Sequence, residues 1–274
     1  MVLFPNAKIN LGLNITRKRP DGYHDLETVF YPIAILDAIE VIKSDNNGEE
    51  VQLSLSGIPI TDKPGDNLCL KAYWLLKKDF PKLPAIKIHL HKSIPAGGGL
   101  GGGSADGSFM LKLLNQKFGL RLSTEQLLDY ALQLGSDGPF FIVNKPCFAT
   151  SRGEVLQPLA VDLSAYKLVI INPGIHVSTA EAFSLLIPSL TSKSIKEVIQ
   201  QPIESWREVL KNDFEEPVFK KHPAIGAIKA KMYDAGAIYA SMSGSGSTVY
   251  GIFRKMQEVS LDMPPGYFVK ELAS

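Results

Sequence analysis

Apolar and polar residues alternate through AKINLGLNITR. Ile9, Leu11, Leu13 and Ile15 share one face, and Lys8, Asn10, Gly12 and Asn14 the other, which predicts a half-buried strand. Lys8 and Asn10 then project side by side from its polar face. Pro20, Asp21 and Gly22 predict a turn. Beyond it lie the apolar stretch VFYPIAILDAIEVI, a predicted polar hairpin around residues 45–50, and a strand in VQLSLSG. DNLCLKAYWLLKKDF predicts a helix opened by Asp66 or Asn67, with Leu68, Tyr73, Leu75 and Leu76 as its apolar positions. IKIHLHKSI alternates again, with Ile88 and Leu90 inward and Lys87, His89 and His91 outward.

A glycine run follows that strand and leads into a helix expected from about Ser104 to Phe118, stopped at Gly119. A second helix opens at Ser123 with Gln126 three residues on, a capping box, and stops at Gly135. Then come a hairpin in CFATSRGEVLQPL and a buried strand, YKLVIIN. Helix starts are expected at Ser178, Ser194 and Ser205, each with Glu three residues later, and a further helix over residues 223–235. AIYASMSGSGSTVYGIF predicts strand, glycine-rich turn, strand. Without strict strand–helix alternation, the pattern predicts an α+β chain of two domains, residues 1–160 and 161–274, with the junction near residues 159–163.

Composition narrows the function. In 274 residues, 29 Lys+Arg against 28 Asp+Glu leave +1, so no global field attracts nucleic acid or anionic lipid. The two cysteines, Cys69 and Cys147, stand among apolar neighbours in no C-x-x-C spacing and read as buried thiols of a reducing compartment. The N-terminal MVLFPNAKIN lacks the pattern of a signal peptide, and no apolar run is long enough to span a bilayer. A cytoplasmic protein acting on small molecules, as monomer or homodimer, is expected.

The chemistry concentrates in Gly97, Gly98, Gly99, Leu100, Gly101, Gly102, Gly103 and Ser104: six glycines in eight positions, between a strand and a helix. Such a loop lets backbone N–H groups close on a phosphate at a helix N-terminus, whereas a flexible linker is seldom wedged between two such elements. Gly97-x-Gly99-x-x-Gly102 fits the dinucleotide fingerprint, but a second helix follows where that motif needs a parallel strand. The loop lacks the lysine of a Walker A motif, and no V-A-I-K, H-R-D or D-F-G accompanies it. What remains is a lysine-free phosphate loop of another type.

Three blocks in order resemble the GHMP kinases: the N-terminal strand with Lys8, the central PAGGGLGGGSA, and the late SGSGS of residues 243–247. PNAKINLGLNI, RPDGYHDLET, LGSDGPFF and NPGIHVSTAEAF are similar to the branch whose acceptor is a cytidine diphosphate derivative of methylerythritol. The resemblance implies a two-domain α+β fold with mixed sheets, a ferredoxin-like C-terminal half and an active site in the interdomain cleft. It implies ATP-dependent phosphorylation of the acceptor's 2-hydroxyl, in isopentenyl diphosphate biosynthesis, with Mg²⁺ carried on the nucleotide.

Carried over by position, the resemblance implies that Asp137 and Lys8 are catalytic. ATP binding falls to Pro95, Ala96, Gly97, Gly98, Gly99, Leu100, Gly101, Gly102, Gly103, Ser104 and Ala105, and acceptor binding to Asn10, Tyr23, His24, Thr179 and Phe183. A carboxylate beside the hydroxyl can orient it and take its proton, and an ammonium can stabilise the charge that develops. Each residue has a plainer reading: Asp137 as a turn or helix cap, Lys8 as a solvated strand lysine, Phe183 as core. Ser104 is expected to cap the helix after the loop, with its hydroxyl towards phosphate or Mg²⁺, while the turn at 243–247 approaches the acceptor or is a plain hairpin. His89 and His91 share a face but have no third ligand, so no protein metal site is expected.

The chain departs from the family pattern twice. Ala105-Asp106-Gly107 stands where Ser-Asn-Ala is common, and Gly138 follows Asp137 where Val is frequent. The competing readings are another small-molecule GHMP kinase, against which Tyr23, His24 and Phe183 weigh, and a nucleotide-binding regulator, against which the retained Lys8 and Asp137 weigh.

Overall fold

The computed structural model describes residues 1–44, 50–60, 64–184, 186 and 194–273. In chain order the strands are β1 (Val2–Leu3), β2 (Asn6–Lys18), β3 (His24–Leu36), β4 (Ala38–Lys43), β5 (Val51–Gly57), β6 (Ile86–Lys92), β7 (Cys147–Thr150), β8 (Val155–Pro158), β9 (Tyr166–Asn172), β10 (Tyr239–Met242), β11 (Val249–Arg254) and β12 (Phe268–Ala273). The helices are α1 (Leu68–Asp79), α2 (Gly102–Phe118), α3 (Thr124–Leu134), α4 (Gly138–Val143), α5 (Thr179–Ser184), α6 (Ile195–Val198), α7 (Trp206–Val209), α8 (Glu215–Lys221) and α9 (Pro223–Asp234). The chain is mixed α+β, as its pattern predicts. Among the described residues no helix is long and apolar enough to cross a membrane.

Two compact units form. The first comprises Met1–Ala7, Ala34–Ala96 and Gly101–Asn144. Its sheet runs β1-β4-β6-β5, with β5 parallel and β4 antiparallel to β6. The hairpin expected around residues 45–50 falls mostly outside the described residues. The strands flanking it are not partners: β6 lies between β4 and β5, and α1 makes the crossover from β5 to β6. The alternation of β6 buries Ile86, Ile88 and Leu90 against Tyr73 and Leu76 of α1 and Met110 and Leu114 of α2. Asn67 caps α1 by accepting from the Cys69 N–H at 2.9 Å. Ser123 and Gln126 form the full capping box of α3, and Gly119 ends α2 in the left-handed region.

The second unit comprises Lys8–Ile33, Gly97–Leu100 and Lys145–Ser274. It holds the sheets β2-β3-β7-β8 and β10-β11-β9-β12. Val169 and Ile171 of β9 and Val249 and Phe253 of β11 pack against Ile225, Ile228 and Met232 of α9.

Strand β2 departs from its expected half-buried state, being buried on both faces from Asn6 to Ile15. The cover is supplied from far along the chain: a Cβ on Gly12 would lie 2.5 Å from Leu210 Cδ1, and Leu13 N donates to the Lys211 carbonyl at 2.8 Å. Helix α2 begins at Gly102, two residues before the expected start. Ser104 is therefore not its cap; Gly101, at φ 71°, makes the entry. Ser205 does not cap α7 either, because its hydroxyl donates back to the Pro202 carbonyl at 2.7 Å.

Candidate active site

In the first unit, β6 delivers the chain to Pro95 and α2 receives it at Gly102. Positive φ recurs at Gly97 (64°), Gly99 (79°) and Gly101 (71°), with none at Gly98 or Leu100. Alternation of this kind is how a backbone can turn successive N–H groups towards an anion, and here it leads into the positive end of a 17-residue helix.

Asp137 immediately precedes α4 at φ −79° and ψ −14°, and its side chain makes no capping hydrogen bond, so the carboxylate is not used as a helix cap. Its segment is tied to α2: Ser108 Oγ donates to the Gly138 carbonyl at 2.9 Å and Lys112 Nζ to the Phe141 carbonyl at 2.9 Å. Burial lowers the Lys112 pKa. A Cβ on Gly138 would fall 2.3 Å from the Ala131 carbonyl oxygen, and one on Gly107 would fall 2.9 Å from Leu68 Cβ. Both glycine departures from the family pattern are thus what lets α4 and α2 approach their neighbours. Ser104 is half-buried, with its hydroxyl 3.9 Å from where a Gly135 Cβ would sit, beside the turn that leads to Asp137.

In the second unit, Lys8 and Asn10 are not on a solvated face: they are 3% and 2% exposed. Lys8 Nζ donates to Asn10 Oδ1 at 2.6 Å and stands 5.0 Å from the centre of the Phe30 ring. Asn10 Nδ2 donates to Thr28 Oγ1 at 2.9 Å, so the amide oxygen is presented to the lysine. The first half of the glycine loop packs onto the same residues. Lys8 N donates to the Leu100 carbonyl at 2.9 Å, Ser243 Oγ to the Gly99 carbonyl at 2.8 Å, and Thr248 N to the Gly98 carbonyl at 3.1 Å. Asn212 Nδ2 donates to the carbonyls of Met242 (2.7 Å) and Gly244 (2.8 Å), pinning the turn at 243–247. That turn is more than a plain hairpin, because it forms the floor of the glycine loop.

Of the residues expected to bind the acceptor, His24 and Phe183 meet directly, their rings stacked 4.7 Å apart at 18°. Phe183 also packs edge-on against Phe214, so it belongs to the core and to the surface pair at once. Burial, aided by Lys18, lowers the His24 pKa. Tyr23 is 55% exposed and carries the Arg152 guanidinium 4.9 Å from its ring centre. Thr179 Oγ1 lies 3.3 Å from Ser245 Oγ, on the 243–247 turn. His89 and His91 are exposed and bonded to Ser54 and Ser56. Among the described residues no group of three or more His, Cys, Asp or Glu gathers as a metal-holding set.

Sequence reasoning missed Thr28, Asn172, Asn212 and Thr248, the polar side chains that hold Asn10, the loop and the turn. It also missed the purpose of Asp106, which is buried in an ion-pair cluster with Lys92 and Asp37. The available signal was register, since Lys92 falls in phase with the buried Ile86, Ile88 and Leu90 of β6.

Family signatures match at two places: GHMP kinases N terminal domain over residues 67–145, and GHMP kinases C terminal over residues 194–261. The chain is 55% identical over 253 residues to a 4-diphosphocytidyl-2-C-methyl-D-erythritol kinase of Bacteroides thetaiotaomicron, covering 92% of each chain. It is 51% identical over 260 residues to the protein of the same name in Bacteroides fragilis, covering 95% of this chain and 94% of that one. Its fold matches a crystal structure of 4-(cytidine 5'-diphospho)-2C-methyl-D-erythritol kinase at a TM-score of 0.79 and 28% identity, covering 92% of this chain and 90% of the other.

Proposed function

Because the chain belongs to the GHMP kinases, we propose that it transfers the terminal phosphoryl group of ATP to the 2-hydroxyl of 4-diphosphocytidyl-2-C-methyl-D-erythritol, giving the 2-phosphate and ADP in isopentenyl diphosphate biosynthesis. The observation that carries the reading is the lysine-free loop whose φ alternates at Gly97, Gly99 and Gly101 and which runs into α2. A loop of this form offers backbone N–H groups and a helix N-terminus to the phosphates of ATP, from Pro95 through Ala105. Mg²⁺ enters on the nucleotide as part of the co-substrate.

Asp137 takes the proton of the acceptor hydroxyl as its oxygen attacks the γ-phosphorus; the bond from that phosphorus to the bridging oxygen breaks and ADP leaves. Asp137 stands directly before α4 without capping it, on the segment that Ser108 and Lys112 tie to α2. The Lys8 ammonium, held by Asn10 in a buried setting, stabilises charge on the transferring group more strongly than it would in water. His24, with its pKa lowered, offers a neutral imidazole to the edge of cytosine, and Phe183 and Tyr23 supply ring faces. The His24 and Phe183 rings stack on each other, so a base that takes the face of Phe183 must displace the His24 ring from it. Thr179 contributes a hydroxyl nearby. The enzyme acts on small molecules in the cytoplasm.

Product analysis tests the reaction. Incubation with ATP, Mg²⁺ and the acceptor should yield ADP and a phosphomonoester on the tertiary carbon, read by phosphorus NMR and mass. ADP without a phosphorylated acceptor, or phosphate on another hydroxyl, would overturn the assignment.

A further inference from the structure

The most heavily charged buried feature lies at the two ends of the glycine loop. Lys92, the last residue of β6, donates to Asp37 Oδ2 and, at 2.7 Å, to Asp106 Oδ2 in the second turn of α2. Asp37 Oδ1 accepts from the N–H groups of Ser93 at 2.6 Å and Ile94 at 2.9 Å, the two residues before Pro95. Gly102 lets the helix start close onto this strand end: a Cβ there would lie 2.9 Å from Ile94 Cγ2 and 3.4 Å from Lys92 Nζ. All three charged side chains are fully or nearly fully buried.

We propose that Asp37, Lys92 and Asp106 are positioning residues for ATP, fixing the strand end that enters the glycine loop to the helix that leaves it. The inference rests on the reading of that loop as the phosphate site. Burial alone does not explain the arrangement, because an ion cluster with one carboxylate too many is poorer at stabilising a core than apolar packing. Two carboxylates around one ammonium leave an excess negative charge, and Asp106 Oδ1 is buried without a hydrogen-bond partner. Burial therefore pushes the Asp106 carboxyl up to about 7, against the pull of Lys92 and with that of Asp37. Burial lowers Lys92, but the two carboxylates outweigh it and its pKa is raised. The other titratable neighbour, Cys69 of α1, is pushed well up by burial and then by Asp106, and stays a neutral thiol. A proton taken up by Asp106 removes one negative charge from the cluster, beside the strand end and helix start that flank the loop.

The test compares wild type with Asp106→Asn and Asp106→Ala for the KM of ATP and of the acceptor between pH 6 and 9. Asp106→Asn keeps the shape and removes the charge. The ratio of wild-type to Asp106→Asn KM for ATP should rise about 2- to 15-fold from pH 6 to pH 9, as one unit charge acts on phosphate over several ångströms. Any titration of ATP itself cancels in that ratio. Asp106→Ala cuts the tie to Lys92 and should raise the KM for ATP about tenfold. The acceptor KM should not move in either variant. Gly99→Ala serves as the control for the loop. If it weakens ATP while both Asp106 variants match wild type at every pH, the cluster has no positioning role and the loop reading stands. If Gly99→Ala also leaves ATP unaffected, the loop reading falls and takes this proposal with it.

Discussion

Ser243 donates its hydroxyl to the carbonyl of Gly99 at 2.8 Å, joining residues 144 positions apart. The contact leaves no space for a side chain on the glycine: a Cβ there would stand 2.0 Å from the Ser243 carbonyl oxygen, and φ at Gly99 is +79°. The glycine loop is thus cast against a second loop, and that backbone-to-backbone packing by itself demands glycine at residue 99.

Gly99→Ala meets both penalties. The KM for ATP is expected to rise at least about tenfold, and the melting temperature to fall, since backbone cannot yield as a flexible side chain can. Steady-state kinetics at varied ATP, with a thermal melt alongside, checks both.

Asp137→Asn keeps the size of the side chain and removes its basicity. Turnover should drop about 10²- to 10⁴-fold, the usual worth of a positioned general base, while ATP affinity by calorimetry stays near wild type. Loss of ATP binding, or undiminished turnover, would remove Asp137 from that role.

Phe183→Ala should raise the acceptor KM and leave the ATP KM alone, because the ring stacks on His24 and offers a face to a base. Since Phe183 also packs on Phe214, Phe183→Leu is the companion variant that retains apolar bulk. A rise in acceptor KM in both variants assigns the effect to the lost aromatic face.

Gly107→Ala sets two effects against each other. Alanine in a helix interior gains about 1 kcal/mol over glycine, but overlap of its Cβ with Leu68 Cβ at 2.9 Å costs about 1–3 kcal/mol. The overlap should win, lowering the melting temperature by a few degrees. A higher melting temperature would mean that α1 gives way at no cost.

Stability should also report Asp106. Its folded pKa, about 7, lies above the ordinary 3.8, so its contribution is fully present below the ordinary value and is lost as pH rises through about 7. The melting temperature of Asp106→Asn minus that of wild type should therefore increase between about pH 4 and pH 7, whatever the other groups do in common.

Much of this was legible in the chain. The alternation of β6, the capping box at Ser123 and Gln126, and the left-handed stop at Gly119 are local signals, and local geometry obeys them. Strand β2 shows the limit: alternation reveals that Lys8 and Asn10 share a face but not what covers it. Part of that cover is Ser243, 233 residues from Asn10, whose hydroxyl faces the Asn10 N–H at 3.3 Å. The ion cluster was hidden for the same reason, since Lys92 finds Asp37 55 positions away. Asp106 read as a disturbance of a familiar pattern because its partner is not on its own helix. Short helices such as α4, six residues with Pro139 in the first turn, lack the length for a periodic signal.

The central claim is that the phosphate loop serves a cytidylylated acceptor. ADP release with ATP and Mg²⁺, comparing 4-diphosphocytidyl-2-C-methyl-D-erythritol with mevalonate, homoserine and galactose, tests it most directly. Turnover with the cytidylylated acceptor alone is the predicted result. Turnover with one of the other three instead would contradict the roles given to His24, Tyr23 and Phe183, and ATP binding without turnover on any acceptor would contradict the kinase itself.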